Sequence, residues 1–290
     1  MANRIAPDFG IQEDESDVEN LQGVRHILCV ASGKGGVGKS TISVNLAVAL
    51  SRLGARVGLL DADIYGPSQP LMLGVPAGTR PRLVDRKFME PVAAHGIVSN
   101  SIGYLVEPQT AMAWRAPMIV GAFNQMLKDT LWGELDYLIV DMPPGTGDIQ
   151  LSLAQQVPVT GAVIVTTPQD VALLDARKGM EMFRKVQVPL LGVVENMASH
   201  VCSRCGHEEA IFGTGGGETL SRGFGTELLG SLPLELAIRE HTDKGTPIVQ
   251  AQPDGAIARA FLTLAARVRD KVQAQRSAAV AGPAIHISDD

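Results

Sequence analysis

Cysteine and long apolar runs are scarce in this sequence. Only three of the 290 residues are cysteine, which is too few for a disulfide framework and favours metal or redox chemistry over cross-linking. No apolar run approaches the ~18 residues needed to span a bilayer, and the N-terminus lacks a basic stretch followed by an apolar one. We therefore expect a cytoplasmic protein with no membrane partner.

A strong excess of charge of either sign is also missing. The 25 basic and 31 acidic residues give a net charge of −6, so the chain has no overall field that attracts DNA or an anionic membrane. We accordingly expect no nucleic-acid partner. The hydrophobic content of 45% supports a sizeable core. Because no repeat or linker divides the chain, we expect one domain at residues 23–272, after a disordered acidic segment at 1–22 and before a flexible tail at 273–290.

The apolar residues form short continuous runs separated by helix-like segments. Continuous runs are typical of strands buried on both faces, which predicts an α/β fold with a mostly parallel sheet and helices on both faces. Helical spacing predicts helices at 41–53 and 254–272. Residues 74–117 are irregular, and we expect them to be an insertion with a short strand pair at 88–104. The predicted strands begin at Ile27, Val57, Tyr137, Ala162 and Leu190, with a weaker one at Leu228.

A glycine-rich loop follows the first apolar run and leads into the first predicted helix. Its spacing fits G-x-x-x-x-G-K-[ST], the loop whose backbone N–H groups bind phosphates at a helix N-terminus. In that pattern Lys39 contacts the β and γ phosphates and Ser40 ligates Mg²⁺. A glycine-rich loop without a nucleotide is the alternative, but it leaves the strand before and the helix after unexplained. The predicted nucleotide-binding residues here are Gly33, Lys34, Gly35, Gly36, Val37, Gly38, Lys39, Ser40 and Thr41.

Three aspartates lie at the ends of predicted strands. Asp61 and Asp63 follow one run directly, at the edge where ligands bind in open α/β sheets. Either of them could instead cap the turn before Gly66 and Pro67. Asp141 ends another apolar run and precedes a loop rich in proline and glycine, which is the Walker B pattern that holds Mg²⁺. The sequence therefore predicts a magnesium site beside the phosphate-binding loop.

The pair Cys202 and Cys205, in CSRCGH, is a second candidate centre. Two thiolates can ligate one soft metal site, but tetrahedral zinc and a [4Fe–4S] cluster each need four ligands. His200 and His207 could complete a zinc site within one chain, or the same cysteines of a second copy could complete a bridged site on a two-fold axis. From the CxxC pair alone, zinc, cluster and redox roles stay open. Cys29 lies in the first predicted strand and is expected in the core.

Several motifs together resemble those of one family. GKGGVGKST, DADIYGPS, WRAPM, DYLIVDMPPGTGD, ENM followed by VCSRCG, and FGTGGG are similar to the Mrp/ApbC-type iron–sulfur cluster carrier ATPases, within the MinD and ParA group of P-loop NTPases. The resemblance covers about residues 24–266. It implies a slow Mg²⁺-dependent ATPase that forms a homodimer and assembles a labile [4Fe–4S] cluster between Cys202 and Cys205 of two copies. It also implies apo iron–sulfur proteins and cluster scaffold proteins as partners.

The resemblance further implies roles for individual residues. Lys34 reaches across the dimer interface to the partner's phosphates, Asp61 lies near Mg²⁺, and Asp63 orients the attacking water. Asn196 matches the asparagine that reads the base, and Pro233 lies in the loop that packs on the ring. The expected catalytic residues are Lys34, Lys39 and Asp63, and the expected Mg²⁺ ligands are Ser40, Asp61 and Asp141.

Three other interpretations account for part of the pattern. A MinD- or ParA-like positioning ATPase shares the loop, but it needs a basic amphipathic helix or a basic surface and has no use for a CxxC pair. A zinc-binding module that keeps nucleotide only for structure is disfavoured because Lys34, Asp63 and Asp141 occur together. A reductase similar to the nitrogenase iron protein has bridging cysteines widely separated in sequence, unlike Cys202 and Cys205.

Overall fold

The computed structural model describes residues 20–106, 115–202 and 204–281. Most of the segment predicted to be disordered, residues 1–19, and the end of the predicted tail, residues 282–290, lie outside the described residues. The described end of the acidic segment packs on the domain: the Asn20 side-chain amide donates to the Lys128 carbonyl at 2.8 Å, and Leu21 contacts the core. The folded part of the chain therefore begins before the predicted boundary at residue 23.

A mostly parallel sheet of eight strands forms the centre of the described structure. Its strand order is β12-β9-β8-β1-β7-β2-β6-β5, and neighbours are parallel except for the antiparallel pair β5–β6. Strands β3–β4 and β10–β11 form separate antiparallel pairs. The predicted fold class is confirmed, with a strand at every predicted position. The bounds are β1 Ile27–Ala31, β2 Val57–Asp61, β3 Leu83–Val84, β4 Phe88–Met89, β5 Val92–Ala94, β6 Ile97–Ser101, β7 Tyr137–Asp141, β8 Gly161–Thr166, β9 Leu190–Glu195, β10 His200–Val201, β11 Glu208–Glu209 and β12 Leu228–Ser231.

Helices cover both faces of the sheet, as the buried strands predicted. Because side chains alternate along a strand, Leu28 and Val30 enter the core built mainly with the first and last helices, α1 and α9. Ile27, Cys29 and Ala31 enter the opposite core, built with α3, α4 and α5. The bounds are α1 Lys39–Arg52, α2 Gln69–Met72, α3 Ala116–Lys128, α4 Asp148–Gln156, α5 Asp170–Lys185, α6 Gly216–Gly223, α7 Leu236–Asp243, α8 Ile248–Ala251 and α9 Ala256–Ala281.

The strand pair predicted at 88–104 exists, but it is not an insertion. Strands β5 and β6 pair antiparallel, and β6 then joins the central sheet as the parallel neighbour of β2. Ser99, Asn100 and Ser101 are buried in β6, where hydrogen bonds satisfy their side chains. Buried polar groups are tolerated only with such partners. Because these three polar residues interrupt β6, the strand has no continuous apolar run that the sequence pattern could detect.

The two predicted helices form with shifted ends. Helix α1 begins at Lys39 and ends before Gly54, whose φ of +92° is left-handed, and residues 42–50 are buried as predicted. Helix α9 continues to Ala281, beyond its predicted end at residue 272, so the start of the predicted flexible tail is helical. Within the described ranges, none of the helices combines the length and the apolar character that crossing a membrane requires.

Candidate functional site

The phosphate-binding loop connects β1 to α1 at the carboxyl edge of the sheet. Gly36 and Gly38 have φ of +82° and +84°, in the left-handed region that favours glycine. A Cβ on Gly33 would lie 2.1 Å from the Asp175 carbonyl carbon, so the start of the loop packs directly on the backbone of α5. These glycines leave the loop backbone accessible where α1 begins, which is the geometry that binds a phosphate.

Lys39, the first residue of α1, forms a buried ion pair with Asp141 at the end of β7. Its Nζ lies 2.6 Å from Asp141 Oδ1, and the two side chains are 6% and 0% exposed. The same ammonium group donates to Ser40 Oγ at 3.1 Å, and Ser43 Oγ donates to Asp141 Oδ1 at 2.7 Å. The structure therefore brings together the predicted loop lysine and the predicted Walker B aspartate, although they are 102 residues apart.

Asp61 lies directly beside Asp141, because these residues pair across β2 and β7. Its Oδ2 accepts hydrogen bonds from the Ser68 and Gln69 N–H groups, each at 3.1 Å, and from Ser101 Oγ at 3.0 Å. Complete burial, together with the charge of Asp141, raises the pKa of Asp61 to about 7. The site thus holds a second buried carboxyl group whose negative charge Lys39 only partly offsets.

The oxygen atoms at this edge fit the predicted magnesium site. Mg²⁺ prefers hard oxygen ligands and is usually held by one or two carboxylates together with water and phosphate oxygens. Asp61 and Asp141 supply two adjacent buried carboxyl groups, and the Ser40 hydroxyl shares the Lys39 ammonium group with Asp141. A divalent cation there would offset the repulsion that raises the pKa of Asp61.

The two remaining catalytic candidates, Asp63 and Lys34, are half-buried at the same edge. Burial is the main cause that raises the pKa of Asp63, while the positive charge of Lys39 opposes the shift. The Lys34 carbonyl accepts a hydrogen bond from Ser32 Oγ at 2.9 Å, which fixes the bend of the loop. The Ser32 carbonyl in turn accepts from the Gly145 N–H at 2.9 Å and joins the loop to the segment after Asp141.

Asn196, predicted to read the base, hydrogen-bonds the phosphate-binding loop. Its Nδ2 donates to the Val37 carbonyl at 2.9 Å in a buried contact, and it lies so close to Gly38 that a Cβ there would be 2.2 Å from Nδ2. Pro233 is nearby, because the Ala198 N–H donates to the carbonyl of its neighbour Leu232 at 2.9 Å. Base contacts by Asn196 and Pro233 therefore stay predictions, and Asn196 has a structural contact that the sequence did not indicate.

Cys202 and Cys205 lie between β10 and β11. The turn is closed by hydrogen bonds from the Cys202 N–H to the His207 carbonyl at 2.9 Å and from the Gly206 N–H to the Cys202 carbonyl at 2.8 Å. Hydrogen bonds from the backbone of Arg204 and Cys205 lower the pKa of the Cys202 thiol, which favours the thiolate that binds metals. Cys205 is exposed.

The histidines near this turn do not complete a metal site. His200 Nδ1 contacts the Leu234 carbonyl at 3.0 Å. Across residues 20–106, 115–202 and 204–281, no three histidine, cysteine, aspartate or glutamate side chains are grouped so that they could hold a metal ion. The described part of the chain therefore presents the thiol pair of Cys202 and Cys205 without the further ligands that zinc or a cluster needs.

Three residues of the buried carboxylate site were missed by the sequence analysis: Ser43, Gln69 and Ser101. Ser43 follows Lys39 by one helical turn, so helical spacing could have placed it beside the lysine. Gln69 and Ser101 reach the site only because α2 and β6 pack against the aspartate strands, and neither has a local sequence signal.

Comparisons with known proteins agree with this geometry. The family model described as ParA, NUBPL iron-transfer P-loop NTPase, matches residues 23–269. An iron–sulfur cluster carrier protein from Pseudomonas fragi is 59% identical over 251 residues, which cover 87% of this chain and 88% of that protein. The iron–sulfur cluster transfer protein NUBPL of Mus musculus is 50% identical over 86% of this chain and 78% of its own length.

Solved structures show the same fold. A nucleotide-binding protein from Archaeoglobus fulgidus, in complex with ADP, superimposes with a TM-score of 0.73 and 37% identity, covering 83% of this chain and 95% of that one. The family predicted from the motifs is thereby confirmed. This chain belongs to the ParA/NUBPL family of iron-transfer P-loop NTPases, together with the iron–sulfur cluster carrier proteins.

Proposed function

We propose that this chain is a cytoplasmic Mg²⁺-dependent ATPase that carries an iron–sulfur cluster as a homodimer and transfers it to apo-proteins. The observation that carries the proposal is that one chain combines a buried phosphate-loop site with a thiol pair, half-buried Cys202 and exposed Cys205, for which the described residues supply no further ligands. Its relatives are iron–sulfur cluster carriers, and the Archaeoglobus relative was solved with ADP. Nucleotide hydrolysis and cluster binding thus each have a separate physical basis.

The nucleotide half rests on the contacts of Lys39. On ATP binding we expect Lys39 to exchange its contact with Asp141 for the β and γ phosphates, while Ser40, Asp61 and Asp141 hold Mg²⁺. The bound ion would neutralise charge that develops on the transferred phosphoryl group. Asp63, half-buried and at the rim of the site, would orient the attacking water. Lys34 of a second copy would add positive charge to the phosphates, as in the family that the motifs resemble.

The cluster half rests on ligand number. A [4Fe–4S] cluster takes four thiolates, and one chain offers Cys202 and Cys205. A second copy related by a two-fold axis supplies the same pair and completes the set. The third cysteine is unsuited to this role, since burial raises the pKa of Cys29 to about 12 and keeps its thiol protonated inside the sheet.

Anaerobic reconstitution tests the cluster half. The protein is incubated with ferrous iron and sulfide, then assayed for iron, sulfide, zinc and molecular size, with and without ATP. We expect about two irons and two sulfides per chain, in a dimer. Cys202→Ser and Cys205→Ser should each abolish the cluster while leaving ADP binding intact, because the thiols and the phosphate loop lie on different segments. Cys29→Ala is the matched control and should keep the full iron content.

Three results would contradict the proposal. A strictly monomeric protein in the presence of iron, sulfide and ATP excludes the bridged site. Zinc in place of iron, retained after reconstitution, favours the zinc-binding module. Unchanged phosphate release from Mg–ATP in Lys39→Met excludes catalysis at this loop, since losing a charged group that stabilises the transition state typically costs ~10²–10³ in turnover.

A further inference from the structure

Gln69 is the first residue of α2 and is completely buried. It follows the loop that begins at Asp61 and Asp63, and its side chain extends to the buried carboxyl groups. Neither the sequence pattern nor the proposed function above gives it a role. Its contacts nevertheless concern the same atoms that are proposed to hold Mg²⁺.

Gln69 hydrogen-bonds both carboxyl groups proposed to hold Mg²⁺ and the backbone of the third proposed ligand residue, Ser40. Its Nε2 donates to Asp141 Oδ2 at 2.8 Å and to the Ser40 carbonyl at 3.1 Å. Its backbone N–H donates to Asp61 Oδ2 at 3.1 Å. One residue therefore fixes the relative positions of both carboxyl groups and of the first turn of α1.

The other atom of the amide, Oε1, has no partner. Among the described residues, three buried side-chain oxygens lack a hydrogen-bond partner, and two of them belong to the consecutive residues Ser68 and Gln69. The Asp141 carboxylate and the Ser40 carbonyl can only accept hydrogen bonds. A flipped amide would set oxygen against both of them, so the nitrogen must face these groups and the oxygen must face away.

A buried acceptor without a partner is rare and calls for a ligand or water that satisfies it. Mg²⁺ in nucleotide sites usually keeps several of its water molecules, and each of those waters can donate two hydrogen bonds. The hydrogen bonds from Nε2 to Asp141 and to the Ser40 carbonyl fix the orientation of the amide that carries Oε1. A water on an Mg²⁺ ion held by Asp61 and Asp141 would supply the donor that Oε1 lacks.

We propose that Gln69 is a positioning residue of the magnesium site: Oε1 accepts a hydrogen bond from a water bound to Mg²⁺, while Nε2 holds Asp141 in place. This inference rests on the proposed function, because it requires Mg²⁺ to bind with the nucleotide. Partners of this kind, outside the direct ligands, typically change metal affinity ~10–100-fold when removed. Gln69 itself would not contact the phosphates, but it would determine how strongly Mg²⁺ enhances nucleotide binding.

The test is a magnesium titration of nucleotide binding. A fluorescent ADP analogue is bound to the full chain in EDTA and then titrated with MgCl₂, for wild type, Gln69→Met and the control variant Asn124→Ala. Gln69→Met, which is similar in size, should bind the analogue in EDTA as wild type does, but need ~10–100-fold more Mg²⁺ for half of the enhancement. Asn124→Ala removes the third of the buried oxygens without a partner, which lies on α3 in an amide that donates to Gln156 Oε1 at 3.4 Å, so it should titrate within about threefold of wild type, well below that range.

Gln69→Asn keeps an amide but shortens the side chain by one carbon, so that it no longer reaches the carboxyl groups, and it serves as the second variant if Gln69→Met does not fold. It should also need about tenfold or more Mg²⁺ for half of the enhancement, and a wild-type requirement overturns the proposal. A wild-type titration curve for Gln69→Met, or an equal shift in Asn124→Ala, also overturns it. If wild type itself shows no enhancement by Mg²⁺, the nucleotide part of the proposed function fails as well, which distinguishes the two failures.

Discussion

Lys39→Met should destabilise the protein in the absence of any nucleotide. The substitution keeps the length of the side chain but leaves the buried Asp141 carboxylate without its cation. Breaking a buried ion pair by removing one partner typically costs ~3–5 kcal/mol. Ser43 and Gln69 still donate to Asp141, and hydrogen bonds to a charged group contribute ~1.5–3 kcal/mol each. The retained bonds place the expected loss near the lower end, about 3 kcal/mol.

Urea unfolding at about pH 8, without nucleotide or Mg²⁺, measures this loss. Asp141→Asn in the Lys39→Met background supplies the second half of a double-mutant cycle. It should recover about 2 kcal/mol, because the uncompensated charge of Asp141 is then removed. If Lys39→Met unfolds within ~0.5 kcal/mol of wild type, the size typical of an unremarkable surface substitution, the buried ion pair does not form in solution. A double mutant no more stable than Lys39→Met would show that the loss has another cause.

Further predictions concern pH, catalysis and the loop contact. Asp61→Asn should become more stable relative to wild type as pH rises through about 7, as measured by urea unfolding from pH 5.5 to about 8.5. Because the pKa of Asp61 is raised in the folded protein, its contribution to the free energy of unfolding is full below its unfolded-state pKa and is lost as the buried group ionises. A constant difference would contradict that shift. Lys34→Ala should lower Mg–ATP turnover by ~10² or more while ADP binding changes little. If ADP affinity falls as much as turnover does, the result would argue against Lys34 acting on the phosphates of a second copy. Asn196→Ala should lower the free energy of unfolding by ~1–3 kcal/mol because the buried Val37 carbonyl loses its donor; an unchanged stability would favour base reading as its sole role.

The sheet and the nucleotide site were accessible from sequence because their signals are local. Apolar runs such as 27–31 and 137–141 are buried on both faces, and their continuous pattern identified the strands correctly. The phosphate loop and Asp141 are also short contiguous motifs. Their meeting follows from the sheet order, in which β1 and β7 are neighbours.

Features without a local signal were missed. Strand β6 carries buried Ser99, Asn100 and Ser101, whose hydrogen-bond partners lie on other segments, so its polarity was interpreted as an irregular insertion. Gln69 gains its contacts only when α2 packs beside the aspartate strands. The extension of α9 is different, since residues 273–281 are rich in alanine and other good helix formers. Intrinsic propensity could have predicted that part of the helix.

The backbone between Asn196 and Cys202 belongs to both candidate sites. At one end the Asn196 amide is bound to the Val37 carbonyl of the phosphate loop, and at the other the same stretch leads through β10 into the turn of Cys202, with His200 tied to Leu234. A movement of Val37 when ligand enters the loop would therefore displace the segment that leads to Cys202. Linkage then requires reciprocity: whatever factor a bound nucleotide applies to metal affinity, the metal must apply to nucleotide affinity.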